Sequence, residues 1–370
     1  MTGSAYSMKV RADRSLMWRE GQPILGRLDL ELTERCNNNC IHCYINLPAD
    51  DLGAKQRELS TQDVQHILEE AASLGCLEVR FTGGEPLLRE DFEELYLFAR
   101  RLGLKVLLFT NATLVTPHLV GLFARIPPLR KIEVTVYGMR PASYEAVSRV
   151  PGSFQAAWRG INLLLANEIP FVVKWALLPA NWAERAQFEA WVATIPWMEG
   201  PPSYATLFDL RCRRDSPHKN RRIRSLRLPS QEACAVLTRS GEEYIRGMKA
   251  FCAKFMGNGP SGDRLFTCTA ATRTGCVDAY GRLQPCMMLR HPDVVYGLRK
   301  GSLEDAVTRF WPQVRRRKAS SPDYLMRCGR CFLRGLCEQC PAKSWMEHGT
   351  LDTPVEYYCE VAHALARHLC

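Results

Sequence analysis

The sequence predicts an α/β protein built on a parallel sheet, followed by a small cysteine-rich C-terminal segment. Between Leu28 and Leu210, short apolar runs alternate six times with stretches that read as helices. Strands spaced by roughly 25–35 residues need crossover helices and therefore run parallel. Most of the runs are unbroken in apolar character, as suits strands covered on both faces. The third observation is a group of eight cysteines between Cys268 and Cys359. Periodicity alone leaves a barrel and an open doubly wound sheet equally available.

Residues 1–27 form a polar lead-in without a strong period. Leu28-Asp29-Leu30-Glu31-Leu32 alternates and reads as the first strand. Ser60-Thr61-Gln62-Asp63 starts a helix whose apolar positions are Val64, Ile67, Leu68, Ala71 and Leu74. Cys76 opens the second strand, which runs through Thr82 into Gly83-Gly84-Glu85-Pro86. A helix over 90–102 leads to the strand Leu104–Phe109, which ends in Thr110-Asn111-Ala112. Further helices are predicted over 117–126, 153–167 and 182–195, with strands over 132–138, 171–177 and 204–210 between and after them. Residues 236–267 read as a helical bridge to the cysteine-rich end.

An apolar fraction of 46% with 25 glycines is that of an ordinary globular protein. No apolar run approaches the roughly 20 residues that cross a bilayer, and Met1–Glu20 lacks the apolar core of a secretory signal. Sixteen cysteines without such a signal point to metal ligation in a reducing cytoplasm rather than to disulfides. The net charge of +10 is concentrated: eight of the seventeen residues from Arg211 to Arg227 are Lys or Arg, and Arg315–Lys318 forms a second cluster. These stretches are either solvated basic loops or docking sites for an acidic peptide or carboxylated substrate. No interleaved aromatic pattern accompanies them, so nucleic acid is not expected.

The chemistry is concentrated on Cys36-x3-Cys40-x2-Cys43-Tyr44, a loop just past the first strand. Three thiolates can hold one face of an iron–sulfur cube and leave the fourth iron open. A zinc knuckle completed by His42 uses the same residues. At the end of the next strand, Gly83 and Gly84 let the backbone approach a ligand, and Glu85 offers a carboxylate to an amino group. Strand-end position also nominates Asn111, Thr135, Tyr137, Lys174, Trp175 and Asp209 as pocket residues.

The cysteine motif together with Gly83-Gly84-Glu85-Pro86 resembles the radical S-adenosylmethionine (SAM) enzymes. The resemblance implies a partial (β/α)6 TIM-like barrel over residues 28–235 and a [4Fe–4S] cluster on Cys36, Cys40 and Cys43. The open iron would chelate the methionyl end of SAM. Tyr44, Gly83, Gly84, Glu85 and Pro86 would hold the cofactor, with Asn111 and Thr135 near its ribose and adenine and Lys174 near its carboxylate.

The C-terminal pattern is Cys268-x7-Cys276-x4-Gly281-x4-Cys286, then Cys328-x2-Cys331-x5-Cys337-x2-Cys340, then Cys359. Eight thiolates fill two four-ligand sites, of iron–sulfur or of zinc. The pattern resembles the SPASM domain, which carries two auxiliary [4Fe–4S] clusters, here expected over residues 268–370. The resemblance assigns Cys268, Cys276, Cys286 and Cys340 to one cluster and Cys328, Cys331, Cys337 and Cys359 to the other. It departs from the family in the two-residue spacing before Cys340. Cys212 lies among arginines, which are expected to lower its pKa.

By resemblance, an electron reaching the three-cysteine cluster breaks a carbon–sulfur bond of SAM, and the 5′-deoxyadenosyl radical takes hydrogen from a substrate. Auxiliary clusters favour a net oxidation. Enzymes with this extension mostly modify peptides, so a precursor peptide is the expected substrate. A carboxylated small molecule such as a tetrapyrrole precursor is the alternative, its propionates binding the arginines of 211–227. The sulfatase-maturing members carry an acidic base directly after the third cysteine of the extension, whereas Met287-Met288 follows Cys286 here. A reductant such as flavodoxin or ferredoxin is implied. Only 35 residues precede Cys36, fewer than a leader-binding module needs, so a leader would be held elsewhere or by a separate protein.

Overall fold

The computed structural model describes residues 18–19, 22–200, 202–238, 246 and 262–369. The helical bridge expected over 236–267 falls largely outside the described residues, as do Cys252, Cys370 and most of the lead-in. Six strands, β1 (Arg27–Thr33), β2 (Glu78–Gly83), β3 (Lys105–Thr110), β4 (Ile132–Val136), β5 (Phe171–Ala176) and β6 (Ser203–Ala205), pair in chain order, each parallel to the next. The order never reverses, so the doubly wound alternative is excluded. A sheet wound in one direction with right-handed crossovers carries all its helices on one face and turns the other inward.

The helices form where the residues require them. Helix α1 (Thr61–Ser73) opens on a reciprocal capping box between Ser60 and Asp63 and buries Val64, Ile67, Leu68 and Ala71. Helix α2 is Phe92–Arg101. Helix α3 (Pro117–Arg125) has Thr116 as its cap and proline in its first turn. Helix α4 (Ser153–Ala166) and helix α5 (Arg185–Val192) complete the outer layer. Leu28, Leu30 and Leu32 of β1 join these helices in the core. On the opposite face, Arg80 of β2 bonds Asp29 of β1 and stacks on Phe109 of β3. Lys174 of β5 lies over the same ring and pairs with Glu133 of β4. The inward face is therefore polar, which is unusual for a sheet and marks where chemistry is housed.

Several expectations needed adjustment. The sixth strand is three residues long, not seven; it lies at the sheet edge, with ladder bonds on one side only. The helix expected over 182–195 begins as a 3₁₀ turn at Trp182–Glu184 and ends at Val192. A short helix at Pro141–Ser148 escaped prediction because its two turns bury few apolar positions. The C-terminal segment does not stand apart from the barrel sheet. Strand β7 (Thr274–Val277) pairs parallel with β1, and β8 (Arg282–Gln284) and β9 (Tyr296–Gly297) follow antiparallel, giving one nine-stranded sheet. No helix among the described residues is long and apolar enough to cross a membrane.

Most cations of the basic stretch 211–227 are engaged within the chain, while Arg221 and Arg222 are exposed. Arg211 is buried, paired with Asp215 and bonded to Asn46. Arg213 bonds Glu34 and Asp278, while Arg214 donates to the carbonyls of Trp345 and Met346. Arg224 and Arg227, at the end of helix α6 (Pro217–Leu226), both reach Glu347 of helix α7 (Pro341–His348). These guanidiniums fasten the C-terminal segment to the mouth of the barrel. These five guanidiniums are engaged within the chain.

Candidate active site

The cysteine loop leaves β1 at Thr33 and is closed at its base by a short parallel pairing of Arg35–Cys36 with Leu47–Pro48. The end of β2 packs directly on that base. Gly84 and Glu85 donate their N–H groups to the carbonyls of Thr33 (2.7 Å) and Arg35 (2.9 Å). A Cβ on Gly83 would lie 2.0 Å from Thr33 O, and one on Gly84 would lie 2.1 Å from Arg35 O. The glycines are thus required for contact between two backbones. Gly83 also has φ of +127°, a region nearly closed to other residues.

The three thiols share one electrostatic neighbourhood. Burial, followed by repulsion from Cys43, pushes Cys40 up to about 12. Cys36 is raised by burial and then by Cys40. N–H donors already face the sulfurs: Asn38 N to Cys36 Sγ and Asn46 N to Cys43 Sγ, each at 3.4 Å. Iron displaces the thiol proton, and the donors stabilise the resulting thiolates. The residues therefore fit a cluster bound by three sulfurs. Among the described residues no three His, Cys, Asp or Glu side chains crowd round one point in the manner of a single metal ion. His42 packs between Tyr137 and Phe208, and burial lowers its pKa to about 4, so its ring is neutral.

Glu85 is held by hydrogen bonds from three residues. Its Oε1 accepts from Leu87 N (3.1 Å) and Thr110 Oγ1 (2.8 Å), and its Oε2 from Asn111 N (2.8 Å). The carboxyl is fully buried and ties the ends of β2 and β3 together. Burial raises its pKa from 4.5 to about 7. Because the folded protein holds this proton more tightly than the unfolded chain, stability should fall as pH rises from about 4.5 to about 7, then level off. The shift corresponds to an effect on the order of 3 kcal/mol. Glu85→Gln should flatten that part of the stability–pH curve, as read by anaerobic denaturant unfolding across the range.

The remaining nominees divide. Asn111, just past β3, supports the cysteine loop, with Nδ2 donating to Asn37 Oδ1 (3.0 Å) and lying 3.8 Å from Cys36 Sγ. Pro86 begins the 3₁₀ turn Pro86–Leu88. Tyr137 is bonded to Cys40 and packs on Tyr144. Tyr44 lies near Cys43, Cys212 and Glu31. Thr135 is level with Lys174 in the ladder, but Lys174 is already paired with Glu133. Trp175 is a core residue, fully buried against Phe188 at 4.0 Å, so it does not line the pocket. Asp209 pairs with Lys343 of α7 and accepts from Tyr358 Oη (3.0 Å) of helix α8 (Glu356–Leu369), joining the barrel mouth to the C-terminal segment.

At that segment Cys328, Cys331, Cys337 and Cys359 line a single cavity, closed by Tyr324, Val355 and Pro354. These cysteines come from separate turns and a helix, and Arg327 and Arg334 share the lining with them. Of the other set, Cys286 feels Cys340 and Cys268, and Cys340 feels Cys268. Cys276 is placed differently, on β7 between Asp29 and Gln284, and its strongest charged neighbours are Glu31, Asp29, Arg290 and Asp278.

Those neighbours belong to a network that sequence reasoning missed. Arg290 donates through Nη2 to both oxygens of Glu31 (2.6 and 2.7 Å) and through Nε to Cys212 Sγ (2.8 Å), and lies 3.5 Å from Asp278. Arg213 bridges Glu34 and Asp278. All but Arg213 are buried. The available signal was Asp29 and Glu31 alternating with leucines in β1. Cys212 is not an activated thiolate: burial pushes it up to about 12 despite the arginines.

Comparison with known proteins agrees with this geometry. The AdoMet-dependent heme synthase of Methanosarcina barkeri is 32% identical over 154 residues, 42% of this chain and 43% of that protein. The PqqA peptide cyclase of Gluconobacter oxydans is 33% identical over 151 residues, 41% of each. The chain thus spans less than half the length of these relatives. Among solved structures, anSMEcpe with bound AdoMet and a peptide superposes with a TM-score of 0.58 at 14% identity, covering 93% of this chain and 98% of that one. Streptococcus suis SuiB bound to precursor peptide SuiA gives 0.52 at 15% identity, covering 90% and 75%. The barrel region 30–192 also matches the Radical SAM superfamily model. With Cys36, Cys40 and Cys43 gathered at the end of β1 and the Gly83–Pro86 turn packed against them, residues 30–192 are a radical SAM domain, which implies SAM and a [4Fe–4S] cluster.

Proposed function

We propose that the protein is a radical SAM oxidoreductase that abstracts hydrogen from a peptide and leaves an oxidative modification or crosslink. The observation that carries this reading is the pairing of a three-thiol loop at the barrel mouth with a four-thiol cavity in the segment fastened over it. Cys36, Cys40 and Cys43 would hold the SAM-binding cluster, Cys328, Cys331, Cys337 and Cys359 one auxiliary cluster, and residues of the set Cys268, Cys276, Cys286 and Cys340 another. The bound cluster and SAM together supply, on one-electron reduction, a radical able to take hydrogen from an unactivated carbon. The chain does the rest. Asn38 and Asn46 stabilise the loop sulfurs through their N–H groups. Glu85 fixes the strand ends behind the loop, and Asp209 with Lys343 holds the C-terminal segment across the mouth, where it excludes water. The catalytic unit spans residues 28–235 and the cluster unit 268–370.

A second reading keeps the chemistry and changes the substrate to a carboxylated tetrapyrrole. It is favoured by the heme synthase relative and by an Fe-coproporphyrin III synthase from the same organism, 33% identical over 131 residues. Anaerobically reconstituted protein given SAM and a strong reductant should release 5′-deoxyadenosine, and Cys36→Ala should abolish release while retaining C-terminal iron. Stimulation of that release by short peptides, rather than by Fe-coproporphyrin III, decides between substrates. No 5′-deoxyadenosine from the unaltered protein would sink both readings.

A further inference from the structure

We infer that Arg282 and Gln284 of β8 form a recognition site for an acidic residue of the peptide, the guanidinium taking its side-chain carboxylate and the amide oxygen a backbone N–H. The inference rests on the peptide reading proposed above and names a residue class which that reading leaves open. Arg282 and Gln284 stand two apart on one strand, so their side chains share a face. Gln284 is level with Cys276, and Cys276 with Asp29, so that face is the inward one. Both residues line a cavity of about 330 Å³, together with Arg213, Arg290 and Trp345. Its wall adjoins the cysteine loop. Arg213 bonds Glu34, two residues before Cys36, and its neighbour Cys212 donates its N–H to the carbonyl of Tyr44, next to Cys43.

Arg213 and Arg290 are engaged with Glu34, Asp278 and Glu31 and hold those carboxylates in place. Arg282 is different. It is exposed, and its guanidinium makes no hydrogen bond or ion pair with the described residues. Gln284 is 1% exposed; its Nε2 donates to Asp278 Oδ2 at 3.3 Å, and its Oε1 has no partner. An unmet buried amide oxygen costs about 1–3 kcal/mol, which a donor from a ligand removes. No acid is among the described residues that line the cavity, so its wall does not repel a carboxylate. Pro292 and the ring of Trp345 give an apolar surface for the methylenes that carry one. A carboxylate a short chain away from an amide N–H is what an aspartate or glutamate residue presents. A tetrapyrrole propionate offers the carboxylate alone, because the pyrrole nitrogens of an iron complex carry no hydrogen.

Peptide binding to the anaerobically reconstituted full chain, read by fluorescence anisotropy without SAM or reductant, tests this. The probes are a fluorescein-labelled, amidated peptide of alanines with one central glutamate, and its central-glutamine counterpart. The glutamate peptide should bind at least about tenfold more tightly, the worth of one charge-assisted hydrogen bond. Arg282→Met should abolish that preference, and Arg282→Lys should restore part of it. Arg282 is exposed and its side chain unpartnered among the described residues, so neither variant disturbs the fold. Gln284→Met should weaken both peptides alike, by about threefold, because it removes the acceptor of an N–H they share. Equal binding of the two peptides by the unaltered chain, or a preference that survives in Arg282→Met, overturns the inference, as does the absence of binding up to millimolar peptide. Fe-coproporphyrin III should not displace the glutamate peptide; displacement that is lost in Arg282→Met gives the cavity to propionates and overturns the peptide assignment. Failure of the radical reading shows separately, as no release of 5′-deoxyadenosine, and leaves these binding results standing.

Discussion

Gly84→Ala should strip the Cys36–Cys43 loop of iron and lower SAM cleavage by more than about a hundredfold, while leaving the C-terminal cysteines loaded. The added Cβ would sit 2.1 Å from Arg35 O, 2.5 Å from Arg35 C and 2.7 Å from Glu34 O. All three are backbone atoms, so no side-chain rotation relieves the clash. The displaced segment is the base of the cysteine loop, and a shift of one ångström there moves Cys36 relative to Cys40 and Cys43. Ligand geometry tolerates little of that. Iron per chain and 5′-deoxyadenosine release are the two measurements. Near-normal loading and cleavage in the variant would show that the β2 end does not support the loop as described. Gly83→Ala should be at least as damaging, since it adds the strain of a side chain at φ +127°.

The sequence made the loop legible because its chemistry is local: three cysteines within eight residues need no tertiary information to be recognised as a ligand set. The parallel order was legible too, since strand and helix lengths dictate crossovers. What could not be read was where charges point. Asp29 and Glu31 alternate with leucines, a pattern shared by any half-exposed strand, and only the inward curl of the sheet reveals that they are buried. Arg213, Arg224 and Arg227 look like part of a binding surface when counted, yet their partners Glu34, Asp278 and Glu347 lie far away in sequence. Glu85 illustrates the same limit. Its neighbour in the motif is a proline, but its function is set by Thr110 and Asn111 on the next strand.

Arg290→Met should produce the largest loss of stability of any single change outside the glycine turn. Arg290 is buried with Glu31, and Glu34 and Asp278 lie 3.3 and 3.5 Å from its Nη1. Arg213 alone would then face Glu34 and Asp278, and Glu31 would lose the guanidinium bonded to it. Removing one member of a buried ionic group costs about 3–5 kcal/mol, and in a chain of this size that is a fall in Tm of about 5 °C. Glu31 gives the prediction its sign. Burial already raises its pKa against the pull of Arg290, and without the guanidinium it rises further. A carboxyl whose folded pKa lies above its unfolded value loses stability as pH increases through the interval between them. The gap between unaltered protein and Arg290→Met should therefore be small at pH 5, where Glu31 is protonated in the variant, and widen toward pH 8. Adding Glu31→Gln to Arg290→Met should recover part of the loss at pH 8 and almost none at pH 5, because the amide replaces an acid that is neutral at pH 5 and repelled at pH 8. A gap that stays constant with pH, or a double variant no more stable than the single one at pH 8, would show that Glu31 is not the group Arg290 holds in place.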